Sequence, residues 1–168
     1  MTIGESFIPE FEVEMAGTRK TLERIPDAIL TWQAHEKSQT IGWVANHLAE
    51  IPGWVEGTLT ADVWDINPKD GEPYKAPELA SIAEILELFD TSVAVAAKRL
   101  AATPDSEFLK SWSLQSAGET LITMPKAGVI RTWVLNHAIH HRGILTVYLR
   151  LNDIPVPGLY GPSGDEQG

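Results

Sequence analysis

The sequence predicts an all-α fold, a four-helix bundle with long crossover loops and a Pro/Gly-rich C-terminal tail. Three observations carry the prediction. Four stretches repeat apolar residues at helical spacing, and no stretch has a strand pattern of comparable strength. The tail NDIPVPGLYGPSGDEQG holds three prolines and four glycines, which rules out a further helix there. At 168 residues the chain is long enough for one domain with a full core and short for two, so residues 1–168 are expected to form a single domain.

The first helix is expected over residues 9–25, where Phe11, Met15, Thr18, Leu22 and Ile25 step by four and three. Pro26 restricts the residue before it and ends that helix. Residues 27–40 are mixed and read as connection, with His35 on the surface. The second helix begins near Thr40 and places Val44, His47, Leu48, Ile51 and Val55 on one face. Pro52 lacks a backbone donor, so a kink or stop is expected near Ile51. Residues 60–77 are dense in Pro, Gly, Asp and Asn and read as a loop.

Ser81 and Glu84 form an S-x-x-E capping box that opens the third helix, whose inward face is Ile82, Ile85, Leu86, Phe89, Val93, Ala96 and Leu100. Residues 105–125 contain Trp112, Leu114, Gly118, Leu121 and Met124 without a sustained period, and are expected to form a short helix or an extended crossover. Pro125 stands where a helix can start. The two long loops run to roughly twenty residues each, against the 2–8 usual between antiparallel helices, which implies at least one crossover.

The fourth helix, over residues 126–152, carries three of the five histidines. Its seam runs through Ile130, Val134, His137, His141, Ile144, Tyr148 and Leu151. His137 and His141 stand one turn apart, about 6 Å along the axis, and their side chains can converge on one point. His140 falls beside the seam and reads as flanking.

A surplus of 23 acidic over 13 basic side chains gives a net charge of −10, which disfavours phosphate backbones and anionic lipid, and no Lys/Arg cluster offsets it. No nucleic-acid or membrane partner is therefore expected. The chain has no cysteine, which excludes disulfides, thiolate metal ligands and a cysteine nucleophile. The N-terminus MTIGESFIPEFEVEM lacks a signal-peptide pattern, and no run of 18 apolar residues occurs, so a cytoplasmic protein is the simplest expectation.

In a bundle core His47 can meet His137 and His141, giving three neutral nitrogen donors that leave a first-row metal an open position. The bland alternative is three core histidines satisfied by hydrogen bonds. Three clustered imidazoles without a cation are costly to bury, so the pattern does not favour that alternative outright. Glu50, one turn from His47, is a candidate general base or a carboxylate supporting the metal ligands, against a solvated charge on a helix face. Tyr148 is a candidate donor to substrate, against a plain core aromatic. Arg142 and Arg150 are candidates to bind a substrate carboxylate, against plain exposed arginines on a helix, and the tail pair Asp165 and Glu166 reads as solvated.

The segments TIGWVANHLAEIPGW and LNHAIHHRGILTVYLRLNDIPVPGLYGPSGDE cover a little over a quarter of the chain and resemble the DinB-like (DinB/YfiT) family of metalloenzymes. The second is the more distinctive, with N-H-x-x-x-H-R-G, Y-L-R and P-V-P…Y-G-P-S in order. The resemblance implies a four-helix bundle of down-up-up-down course, a homodimer, and a divalent metal held by His47, His137 and His141. Ile144 departs from the glutamine that follows H-R-G in similar sequences, and so removes a polar group just past the site.

Relatives of known activity include thiol-dependent S-transferases and a mycothiol-dependent isomerase. The resemblance thus implies a small-molecule substrate with a low-molecular-weight thiol cosubstrate, activated at the metal. Zinc or nickel is the first expectation for the ion, with iron, cobalt and manganese also compatible with three imidazoles. Two other readings stand beside this one. The first is a metal-dependent hydrolase with Glu50 or a tail carboxylate as base, and the second a non-catalytic metal-binding stress-response bundle.

Overall fold

The structure, a computed structural model, describes residues 1–167. Its helical layer is built from α1 (Ile3–Leu22), α2 (Ile41–Glu50), α3 (Trp54–Thr60) and α4 (Ile82–Ala102), followed later in the chain by α6 (Lys126–Val129) and α7 (His137–Leu151). Helices α1 and α2 each pack against both α4 and α7. Phe7, Phe11, Leu48, Ile85, Phe89, Ile130, Val134 and Leu149 fill the space between them.

Local chemistry sets the boundaries. Helix α1 starts earlier than expected because Thr2 and Glu5 form a reciprocal capping box, and Pro9 is absorbed inside the helix. Thr40 caps α2 by accepting the Trp43 N–H at 3.1 Å. Pro52 ends the α geometry as expected, in a 3₁₀ turn over Ile51–Gly53 that leads directly into α3. Ser81 and Glu84 cap α4 reciprocally.

The expectation of an all-α four-helix bundle is overturned by a three-stranded mixed sheet in the order β1-β2-β3, and the chain is a helix-and-sheet mix. The strands are β1 (Val63–Asp65), β2 (Ser111–Ser116) and β3 (Glu119–Pro125), with a short helix, α5 (Asp105–Phe108), before β2. Strand β1 lies parallel to β2, with Trp64 opposite Leu114. Strands β2 and β3 form an antiparallel hairpin with Trp112 opposite Met124 and Leu114 opposite Ile122.

Three physical facts hid this sheet. A register irregularity opposite Leu114 and Gln115 leaves Leu121 as an extra residue, which breaks the period-two alternation. The hairpin turns through Ala117 and Gly118, both at positive φ (53° and 80°), so an Ala-Gly pair does the work for which Asn-Gly is the usual signal. Strand β1 is only three residues long and is held by side-chain chemistry. The Asp65 carboxylate accepts the N–H groups of Asn67, Ala117 and Gly118 at 2.8–3.1 Å, tying the turn-rich loop to the hairpin tip.

The helical run after Pro125 is continuous, but Ile130–Asn136 is a π segment between α6 and α7. Each residue of a wide turn rotates the chain by less than the roughly 100° of an α-helix, so a strict α count drifts past it. The buried line of α7 is Ala138, Arg142, Leu145, Tyr148 and Leu149, while Leu151, expected inside, is 60% exposed. His137, His141 and Ile144 are half-buried at the border of the core.

Arg142 is the largest correction among the side chains. Expected on the surface, it is 2% exposed and donates to the Glu14 carboxylate at 2.6 Å, to the Glu14 carbonyl at 2.8 Å and to the Tyr160 hydroxyl at 2.6 Å. This network ties α7 and the tail to α1. The close approach depends on Gly17, where a Cβ would come within 2.8 Å of the Arg142 guanidinium. The tail carboxylates are likewise engaged and not free: Asp165 pairs with Arg150, and Glu166 accepts the Gly158 N–H. No helix among the described residues is long and apolar enough to cross a membrane.

Removing one partner of a buried pair strands the other charge. Glu14→Ala is expected to destabilise the fold by about 3–5 kcal/mol in a denaturant titration. A loss below about 1 kcal/mol would mean that Arg142 finds other partners.

Candidate metal centre

Two helices deliver the site. His47 lies near the C-terminal end of α2, and His137 and His141 occupy the first and second turns of α7. Their nitrogen atoms fall within 4.8 Å of one another, and this trio is the group among the described residues with metal-holding geometry. His137 Nε2 lies 3.3 Å from His47 Nε2 and 2.8 Å from His141 Nε2. The ring centroids are 4.6–4.9 Å apart in all three pairs.

Hydrogen bonding fixes what these nitrogens can do. His47 Nδ1 donates to Glu50 Oε1 at 2.7 Å, which leaves its Nε2 as a bare lone pair. The Tyr74 hydroxyl donates to Glu50 Oε2, so both carboxylate oxygens are engaged. His141 Nδ1 is buried without a protein partner among the described residues. A proton on His137 Nε2 can satisfy only one of its two neighbours, so neutral imidazoles leave at least one lone pair without a donor. A cation relieves that conflict. Three nitrogens at zinc-ligand distances of 2.0–2.1 Å in a tetrahedral site stand about 3.3 Å from each other, which is the His47–His137 separation and about half an ångström more than the 2.8 Å between His137 and His141.

Burial reinforces the neutral state. Desolvation, and after it the neighbouring His47, holds His137 below its ordinary pKa. Burial, with His47, His137 and His140 adding to it, pushes His141 down to about 4. Both rings therefore offer lone pairs at neutral pH. His140, expected to flank the site, is exposed with its ring 5.0 Å from that of His141. His35 is exposed in the loop after α1, as expected.

Sequence reasoning missed the aromatic shell. Trp43 stacks on His47 at 4.7 Å, Trp54 stands 5.4 Å from His47 and 5.5 Å from His137, and Trp133 lies 6.0 Å from His137. A signal for it was present: W-x-x-x-H occurs at Trp43–His47 and again at Trp133–His137, which puts an indole one turn before a histidine on both helices. Two contacts between α2 and the loops that follow it also position the site. Tyr74 reaches Glu50, and Asn46 clamps the Leu79 backbone through a pair of hydrogen bonds at 2.9 and 3.1 Å. Tyr148, the candidate substrate donor on the seam, is buried with its ring edge-on to Trp32 at 5.4 Å.

Beside the histidines opens a cavity of about 190 Å³, walled by His47, Trp54, Trp64, Trp112, Trp133 and Tyr74 together with Thr58 and apolar side chains. The sheet supplies much of its far wall.

Fold and site together define a helix-and-sheet protein with a three-histidine centre able to hold a divalent metal beside an apolar cavity. The chain belongs to the DinB family: a sequence model of that family matches residues 5–167. It is similar to the uncharacterized protein YrdA of Bacillus subtilis, at 27% identity over 163 residues, covering 96% of this chain and 90% of that one. Among solved structures, a DinB-like protein of Bacillus cereus superposes with a TM-score of 0.71 at 25% identity, covering 93% of this chain and 97% of that one. The DinB-like protein YjoA of Bacillus subtilis shares the fold, with a TM-score of 0.67 at 14% identity over 97% and 99% of the two chains.

Three indoles stand within 6.0 Å of the candidate ligands, so an open-shell ion bound there quenches tryptophan emission. Cobalt(II) or nickel(II) is expected to quench up to one equivalent and then level off. Emission that is unchanged, or that falls without saturating, would contradict convergence on one ion.

Proposed function

We propose that this protein is a metal-dependent enzyme in which His47, His137 and His141 hold a divalent cation and a low-molecular-weight thiol is activated for attack on a small electrophile. The observation that carries this reading is the meeting of three Nε2 atoms from two helices, with no fourth protein ligand among the described residues and an apolar cavity alongside. Zinc or nickel suits three imidazoles, and a bound cation lowers the pKa of a thiol or water at its open coordination position.

The chain's own residues supply orientation and exclusion. Glu50 orients His47 and raises its basicity as a ligand, in the manner of carboxylate–histidine pairs at metal sites, and Tyr74 holds Glu50 in place. The tryptophan shell keeps water away and strengthens every electrostatic interaction inside. A hydrolase is supported less well. Glu50 has both oxygens occupied and is poorly free to serve as general base, and the tail carboxylates are bonded to Arg150 and Gly158. A thiol, with an ordinary pKa of about 8.5, needs less help than water to become a nucleophile. Tyr148 takes no part in this reading.

Protein purified without an affinity tag is expected to carry about one equivalent of metal by elemental analysis, and His137→Ala to lose it. Glu50→Gln is expected to weaken metal binding by about 10–100-fold in a chelator competition, with the fold intact. With a chloro-nitrobenzene as electrophile, turnover that requires an added thiol supports the proposal. Thiol-independent ester cleavage would point to a hydrolase, and inactivity across a broad panel to a non-catalytic metal-binding protein.

A further inference from the structure

Resting on the reading of the three-histidine centre as the reaction site, we infer that its electrophilic substrate is a neutral molecule built on a single aromatic ring. The ring sits in the cavity between Trp54, Trp64, Trp112 and Trp133. Size is the first ground. A dry apolar cavity of about 150 Å³ accommodates benzene. The roughly 190 Å³ here therefore has room for one ring with one or two small substituents.

Wall chemistry is the second ground. Four indoles offer flat faces and edges to a ring in the offset and edge-on arrangements that aromatic pairs prefer. Among the described residues, no Lys, Arg, Asp or Glu side chain lines the cavity. A carboxylate, phosphate or ammonium group on the ligand would be desolvated there without a partner, at a cost of several kcal/mol. The Tyr74 hydroxyl, one of the few polar groups on the wall, is already committed to Glu50.

Position is the third ground. His47 is itself part of the wall, so a ring in the cavity reaches the edge of the metal centre. The far side is fixed by the sheet: Trp64 on β1 is opposite Leu114 on β2, and Trp112 on β2 is 5% exposed.

The test is calorimetric titration of the protein as purified, and again after chelation, with nitrobenzene and with 4-nitrobenzoate. Nitrobenzene is expected to bind with or without metal, and 4-nitrobenzoate at least about tenfold more weakly. Filling the cavity by Leu114→Trp, or by the smaller change Ile66→Phe, is expected to weaken nitrobenzene by about tenfold or more while metal content stays unchanged. Three results would overturn the inference: no binding of nitrobenzene up to its solubility, equal or tighter binding of the carboxylate, or binding unaffected by both filled variants. Because binding is read apart from metal content and turnover, selective ring binding by a protein with no metal and no thiol-dependent turnover would sink the catalytic reading and leave the cavity assignment standing.

Discussion

Three imidazole nitrogens are held where protons alone cannot satisfy them all, and the rest of the structure is arranged around that constraint. The Glu50 carboxylate fixes the tautomer of His47, and burial keeps His137 and His141 neutral. What remains is a set of lone pairs aimed inward, an arrangement that costs free energy without a cation and gains it with one. The buried Arg142–Glu14 pair serves this geometry at a distance. It anchors the residue next to His141 to α1 and, through Tyr160, to the tail. A glycine at position 17 leaves room for that anchor.

The sheet has a corresponding role on the other side of the site. A three-residue strand paired with a hairpin adds little core of its own, yet it brings Trp64 and Trp112 opposite the histidine-bearing helices. Lys126, fully buried where α6 begins, pairs with Asp62 just before β1 and with Glu107 in α5, and so fastens the sheet to the last helical run. The result is a centre that is polar at one end and almost wholly apolar at the other. Such a division is what the proposed reaction would use, with a charged nucleophile generated at the polar end and an uncharged partner held at the apolar one.

How much of this the sequence revealed follows from the physics of each part. Stretches governed by local rules were legible: the Ser81–Glu84 box, the start of α2 near Thr40, the break at Pro52, and the i, i+4 pair His137 and His141 with His47 across from it. The sheet was not, because a bulge at Leu121 erased its alternation and an Ala-Gly turn lacked the usual hairpin signal. Arg142 was misplaced because charge alone suggests the surface, and its partner Glu14 lies 128 positions away. Tyr74 reaches the site from a loop whose composition says only that it turns. The tryptophans were visible as residues, but the role of each depends on tertiary contacts that spacing does not encode.

X-ray absorption at the edge of the bound metal examines the central claim most directly, because it counts and ranges the ligands without reference to any reaction. Three imidazole nitrogens at about 2.0–2.1 Å around zinc, plus one lighter non-protein scatterer, is the spectrum this structure predicts. A shell of oxygens alone, or fewer than two imidazoles, would show that the histidine cluster is not the metal's site.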